Sequence, residues 1–189
     1  MSNVHERMSP IRREAMNDLQ RAAADELIAG PRKGVKGPFI ALLRSPQLMA
    51  RLQKVGEYLR FQSALPQRIA EFATLVVSRQ WTQQFEWGVH AALAPAQGTA
   101  QQTIDELCEG RRPTTMSEDE AAVHDFIIEL TSHHGICDAT YADAVQRFGE
   151  RGVMDLIGTV GYFTTLAMVL NVARTPPTGS SERLPSFPR

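Results

Sequence analysis

From Ile11 to Ala173 the apolar residues return at three- and four-residue steps, and Pro and Gly interrupt them at spacings that punctuate helices. Such a period gathers apolar side chains on one face of each segment, and that face can be buried only against a neighbouring segment. No stretch shows a convincing strand alternation, so the chain is confined to an all-α bundle.

Individual helices can be read from this pattern. Residues 11–29 place Ile11, Met16, Leu19, Ala23, Leu27 and Ile28 on the helical step, and Gly30 and Pro31 stop it. Ser45 before Pro46 is a favoured helix start, a capping hydroxyl ahead of a proline at the first helical position. The helix behind it, to about Phe61, presents Leu48, Leu52, Val55 and Leu59 as its stripe. Leu65 and Pro66 open the next, over RIAEFATLVVSRQ; Thr74 to Val77 alone would pass for a strand, but the surrounding period decides for helix. Further helices are expected after Thr82 to about Ala94 and over 99–109. Ser117 and Glu120 match a capping box, with helix to about Ser132. Asp138 is expected to cap a helix to Phe148, and 150–173 forms the last and most apolar one.

Between the first two helices, PRKGVKGPF carries three cations among Gly and Pro and reads either as a solvated connector or as the border of a cleft. From Thr175 onward the chain is rich in Pro and Ser and is expected to be an extended or mobile tail, leaving one helical domain over 1–174.

A length of 189 residues suits one domain, since a chain of this size buries roughly 70% of its surface. The 20 basic and 21 acidic side chains create no general field for nucleic acid or an anionic membrane. Apolar stretches are broken by Arg, Gln, Thr or Gly before the roughly 20 residues that span a bilayer, so no membrane segment is expected. The N-terminus lacks the apolar run of a secretory signal, which suggests the cytoplasm. Cys108 and Cys137 stand 29 residues apart without nearby ligand partners, which suggests neither a zinc site nor a redox pair.

Chemistry concentrates between Glu71 and His90, where two acids, Arg79, Trp81, Trp87 and a His interrupt what otherwise looks like core helix. Buried carboxylates and imidazoles are costly unless paired, so their accumulation suggests a polar site inside the bundle. Four residues apart, Glu86 and His90 share a helix face, and a short turn brings Glu71 on the preceding helix opposite them. A Glu, His, Glu cluster can move protons. The bland readings are a surface pair at helical spacing for Glu86 and His90, a solvated Glu71, and packing roles for both Trp. Arg79 fits a bidentate anion contact or a structural ion pair. The same three residues could ligate a metal, although the usual accompanying His is missing.

Glu71, Ser78-Arg79, Trp81, Glu86-Trp87 and His90, with AALA behind, resemble the signature of the carboxymuconolactone decarboxylase family, which includes the alkyl hydroperoxidase D-like proteins. GPFIALLRSP at 37–46, GEYLRFQSALPQR at 56–68, Asp138 to Tyr141, Gly161-Tyr162-Phe163 and Asn171 extend the likeness over about residues 37–172. The resemblance implies an alkyl hydroperoxidase D-like helical bundle of about eight helices and a homo-oligomer, a trimer or hexamer or else a dimer. Where the peroxidase branch carries its Cys-x-x-Cys pair, this chain has Gln83 and Glu86. Neither can replace a thiolate, so disulfide-cycling peroxidase activity is not expected. The decarboxylase branch needs neither thiols nor a cofactor.

The resulting expectation is a cofactor-independent lyase acting on a small cyclic or unsaturated carboxylic acid or lactone. His90 is its acid or base, Glu86 and Glu71 its orienting partners, and Arg79 an anion contact, while Phe39, Trp87 and Tyr162 are candidates for lining the pocket. A hydroperoxidase-like redox protein without the usual thiols and a non-catalytic oligomeric binding protein are the alternatives.

Overall fold

In the computed structural model, which describes residues 5–177 and 184–185, the centre is a helix buried around nearly its whole circumference. This is α4, Gln67–Gln80, the fourth of eight helices among the described residues, none of which forms a strand. Before it come α1 (Asp18–Ala29), α2 (Pro38–Leu42) and α3 (Pro46–Phe61); after it come α5 (Gln84–Leu93), α6 (Gln101–Cys108), α7 (Glu118–His133) and α8 (Asp138–Ala173). Because α5, α7 and α8 all pack on α4, its residues from Phe72 to Arg79 are buried without a break. Such a central position buries the polar Glu71, Thr74, Ser78 and Arg79 along with the apolar residues.

Two apolar clusters result. One surrounds α4 with Ile69, Phe72, Val76, Phe126, Ile127 and Leu156; the other joins α1 to α3 with α8 through Leu27, Phe39, Leu43, Met49 and Leu166. Phe163 packs against both.

Several ends follow the sequence signals. Ser117 Oγ accepts from Glu120 N at 3.3 Å while Ser117 N donates to Glu120 Oε2 at 2.8 Å, the reciprocal capping box. The break expected between Phe148 and Glu150 falls on Gly149, whose φ of 67° and ψ of 169° kink α8 there.

Other ends differ from expectation. The first α-helix starts at Asp18, because Asn17 caps it reciprocally with Gln20; the residues before it make only a 3-10 turn, Arg13–Ala15. Ser45 stands at the cap position of α3 without a side-chain capping bond, and α8 begins at Asp138 itself, with Cys137 in the cap position. On α3 the buried stripe is Met49, Gln53, Gly56 and Leu59, leaving Leu48 and Val55 about half exposed. Leu48, Leu52, Val55 and Leu59 form a row that winds off the face toward α1 and α8.

The connector at 31–37 borders a cavity, and Pro38 and Phe39 begin a short buried helix. In the tail, Leu184 is buried, and its backbone exchanges two 2.9 Å hydrogen bonds with the Gln84 side chain. Residues 178–183 and 186–189 of the expected tail lie outside the described residues. Helix α8 is long and apolar enough to cross a membrane by length and composition, against the sequence expectation; half of its apolar window is buried within the fold.

Candidate active site

Five helices and the connector converge on one cavity of about 680 Å³, large enough for a small organic molecule. On α4, Gln67, Ala70, Glu71 and Thr74 line it at the i, i+3, i+4 and i+7 positions of a single face. Phe85, Glu86, Val89 and His90 line it from α5, and Gly56, Leu59 and Arg60 from α3. The connector and α2 supply Arg32, Lys36 and Phe39, and α8 supplies Tyr162, Phe163 and Leu166.

Glu71 and His90 meet across the α4–α5 pair. His90 Nδ1 lies 2.6 Å from Glu71 Oε2, with both side chains buried, and Gln67 Nε2 donates to the other carboxylate oxygen at 3.4 Å. Burial pulls the Glu71 carboxyl upward, yet the His90 hydrogen bond and charge, with Arg60, outweigh it and hold the group below its ordinary value. An ionised Glu71 accepts, so Nδ1 carries the proton and Nε2 is the nitrogen left for chemistry. The edge of Phe163 fixes the imidazole ring from the side, at 5.3 Å between centroids.

Glu86 stands in the opposite condition. It is 4% exposed, and its Oε2 is buried with no hydrogen-bond partner. Burial pushes this carboxyl up to about 7 against the pull of His90, Arg32 and Arg60. The cavity therefore holds one acid toward its anion and the other toward its protonated form. Among the described residues, no three His, Cys, Asp or Glu side chains gather as a metal-holding group.

The part of the wall beside Tyr162 is built on a missing side chain. Arg32 stacks 4.5 Å above the Phe39 ring and donates from Nη2 to the Tyr162 hydroxyl at 3.2 Å. A Cβ on Gly56 would stand 2.1 Å from that hydroxyl and 2.6 Å from the guanidinium, so glycine leaves the room both occupy. Burial raises the Tyr162 phenol to about 12, keeping it protonated.

No family model and no curated protein matches the chain. Solved structures do. An uncharacterized peroxidase-related protein from Ralstonia eutropha JMP134, described as an alkylhydroperoxidase AhpD core, superposes with a TM-score of 0.75 at 15% identity, over 92% of each chain. An uncharacterized peroxidase-related protein from Silicibacter sp. TM1040 superposes with a TM-score of 0.72 at 14% identity, over 94% of this chain and 96% of its own. The chain has the alkylhydroperoxidase AhpD-core fold. At these identities the likeness concerns the fold alone.

Within that fold, the sequence candidates divide. Glu71, Glu86, His90, Phe39 and Tyr162 line the one cavity, whereas Arg79 and Trp87 do not. Helix geometry separates them: Arg79 follows Glu71 by eight residues, about 80° around the axis, and Trp87 lies about 100° from Glu86. Arg79 is buried at the α4–α5 turn, where its Nη1 donates to Thr82 Oγ1 at 3.3 Å. That contact braces a threonine held at φ 46°, in the left-handed region. Trp87 belongs to the apolar cluster around α4. Glu86 makes no hydrogen bond with His90; the orienting contact is made by Glu71.

At the positions where the resemblance places thiols, Gln83 caps α5 by accepting from Phe85 N at 2.6 Å and Glu86 N at 3.2 Å, and Glu86 faces the cavity. Cys108 packs against the core and Cys137 is exposed; neither lines the cavity. Sequence reasoning missed Arg32 and Arg60. Their signals were the cation-bearing connector and the GEYLRFQSALPQR stretch, but no spacing rule ties either to His90.

Proposed function

We propose that the protein is a cofactor-independent enzyme that moves protons on a small carboxylic acid or lactone, a lyase of the decarboxylase kind. The observation that carries this reading is the buried 2.6 Å contact between Glu71 and His90 on the wall of the cavity. Glu71 fixes the imidazole tautomer and compensates the imidazolium that forms, and Nε2 passes the proton to or from substrate carbon. Arg32 and Arg60 take the anion-contact role expected of Arg79, because their side chains line the cavity.

On a panel of lactones and unsaturated acids, His90→Gln should lower kcat by about 10²–10⁴-fold with the helical spectrum unchanged. Undiminished turnover in that variant rejects the reading.

The hydroperoxidase-like alternative draws support from the descriptions of the superposed proteins. A thiol mechanism here would have to use Cys108 or Cys137, both outside the cavity. Hydroperoxide consumption lost in the Cys108→Ser, Cys137→Ser double variant would favour it; unchanged consumption rejects thiol cycling. A ligand bound without turnover would instead favour the binding-protein reading.

We further propose a homo-oligomer. Leu48 and Val55 on α3 and Met154, Ile157, Met168 and Val172 on α8 are large apolar side chains left exposed, which supports burial against other copies. Light scattering at the mass of the 21.0 kDa monomer rejects it. The half-buried apolar window of α8 supports a core helix over a membrane span, and we propose a cytoplasmic location, which cell fractionation tests.

A further inference from the structure

We infer that Glu86 and Tyr162 form a neutral hydrogen-bond donor pair that binds the oxygen of an enolate, so that the cavity takes an acid whose carbonyl is conjugated with, or β to, the group it loses. The inference rests on the proton-transfer reading of His90 and names the substrate class that reading leaves open.

A buried carboxyl oxygen without a partner costs stability, and natural folds rarely leave one unless a ligand completes it. Glu86 Oε2 is such an atom, and Glu86 lines the cavity one helical turn from His90. Tyr162 presents the second donor. Its oxygen accepts from Arg32, so its own proton is left to be given elsewhere, and the guanidinium on the acceptor side makes it a stronger donor. Gly56 keeps open the space in which this phenol stands. The groups facing Glu86 are His90 on its own helix, Arg32 from the connector, Arg60 from α3, Glu71 from α4 and Tyr162 from α8. Burial dominates over the cations among them, which keeps a proton on Glu86 into the neutral range. A protonated carboxyl and a phenol on the lining of one cavity are effective stabilisers of a developing oxyanion.

In the decarboxylating case the bond from carbon to the carboxylate breaks and its electron pair moves through the adjacent carbon onto the carbonyl oxygen. Carbon dioxide leaves, and the enolate oxygen accepts from Glu86 and Tyr162. The electron pair then returns to carbon, which takes a proton from the His90 imidazolium; His90 is recharged from water, so one proton is consumed for each carbon dioxide released.

The probe for this pair is 4-nitrophenol, whose phenolate oxygen mimics an enolate and whose absorbance distinguishes the anion from the neutral phenol. Below neutral pH the wild-type protein should bind it as the phenolate. Glu86→Gln, which still donates from its amide, should keep the affinity within about threefold, whereas Glu86→Leu and Tyr162→Phe should each weaken it about tenfold or more, the loss expected for a hydrogen bond to an anion. A probe bound as neutral phenol overturns the inference without any variant. So does Glu86→Leu binding as tightly as wild type, or Glu86→Gln losing as much as Glu86→Leu, which would make Glu86 an anion. If the donor pair fails while His90→Gln still abolishes turnover, the proton-transfer reading stands. If phenolate binding follows the pair but His90→Gln turns over normally, that reading falls and the pair remains.

Discussion

Asp155 on α8 and Glu86 on α5 are almost equally buried, at 6% and 4% exposure, yet the protein treats the two carboxylates in opposite ways. Asp155 Oδ1 accepts from the Tyr58 hydroxyl at 3.0 Å, and Oδ2 accepts from Ser63 Oγ at 3.3 Å and Ala64 N at 2.7 Å. These bonds tie α8 to the end of α3 and the turn into α4, satisfying donors that would otherwise be stranded. Glu86 has no such set, and its Oε2 is buried without a hydrogen-bond partner. Burial of a charged residue is therefore a weak indicator of function by itself. The count of partners around it separates a structural clamp from a group held ready for a ligand.

The contrast can be broken most forcefully at Asp155. Asp155→Ala should lower stability by about 4 kcal/mol in chemical denaturation, because three donors lose their acceptor at once. A loss under about 1 kcal/mol would mean the clamp is a solvated convenience and the comparison has no structural pole. The opposite pole is probed by pH. The folded Glu86 carboxyl sits at about 7 against an ordinary 4.5. Below 4.5 it is protonated in both folded and unfolded chains. As pH rises from there the unfolded chain ionises first, so wild type loses stability relative to Glu86→Gln until the folded group also ionises near 7. The difference between the two denaturation curves should grow by about 3 kcal/mol across that window and then level off. A difference that stays constant with pH would show Glu86 ionised in the folded protein.

The same contrast explains what was readable in the sequence. Local rules located the helices: the Ser117–Glu120 capping box and the Gly149 break fall where expected, since each depends only on neighbours in the chain. They failed where tertiary contacts decide. Leu48 and Val55 have helical spacing but face outward. In the site, the shared face of Glu86 and His90 was legible from their spacing, and both line the cavity. Which acid bonds to His90 was not, because that depends on how α4 lies against α5. Arg79 and Trp87 share the dense segment but face other neighbours, as their angles on the helix require. Arg32 and Arg60 reach the cavity from other elements and leave no periodic trace near His90.

Gly56 offers the finest test, because two effects of similar size oppose each other there. Alanine in a helix is favoured over glycine by about 1 kcal/mol, so Gly56→Ala on α3 would stabilise an unconstrained position. Here the added Cβ would meet the Tyr162 hydroxyl at 2.1 Å and its ring carbon at 2.4 Å, far inside contact distance. Relieving that overlap costs about 1–3 kcal/mol, which exceeds the propensity gain and leaves a net loss of about 1 kcal/mol. The relief must come from Tyr162 and Arg32 swinging away, since the new methyl is fixed to the α3 backbone. Phenolate binding should then fall as it does in Tyr162→Phe, while the Glu71–His90 contact, which involves neither Tyr162 nor Arg32, is untouched. A variant that gains stability and binds the probe normally would show that glycine at 56 is incidental and that this part of the wall was not built around the phenol.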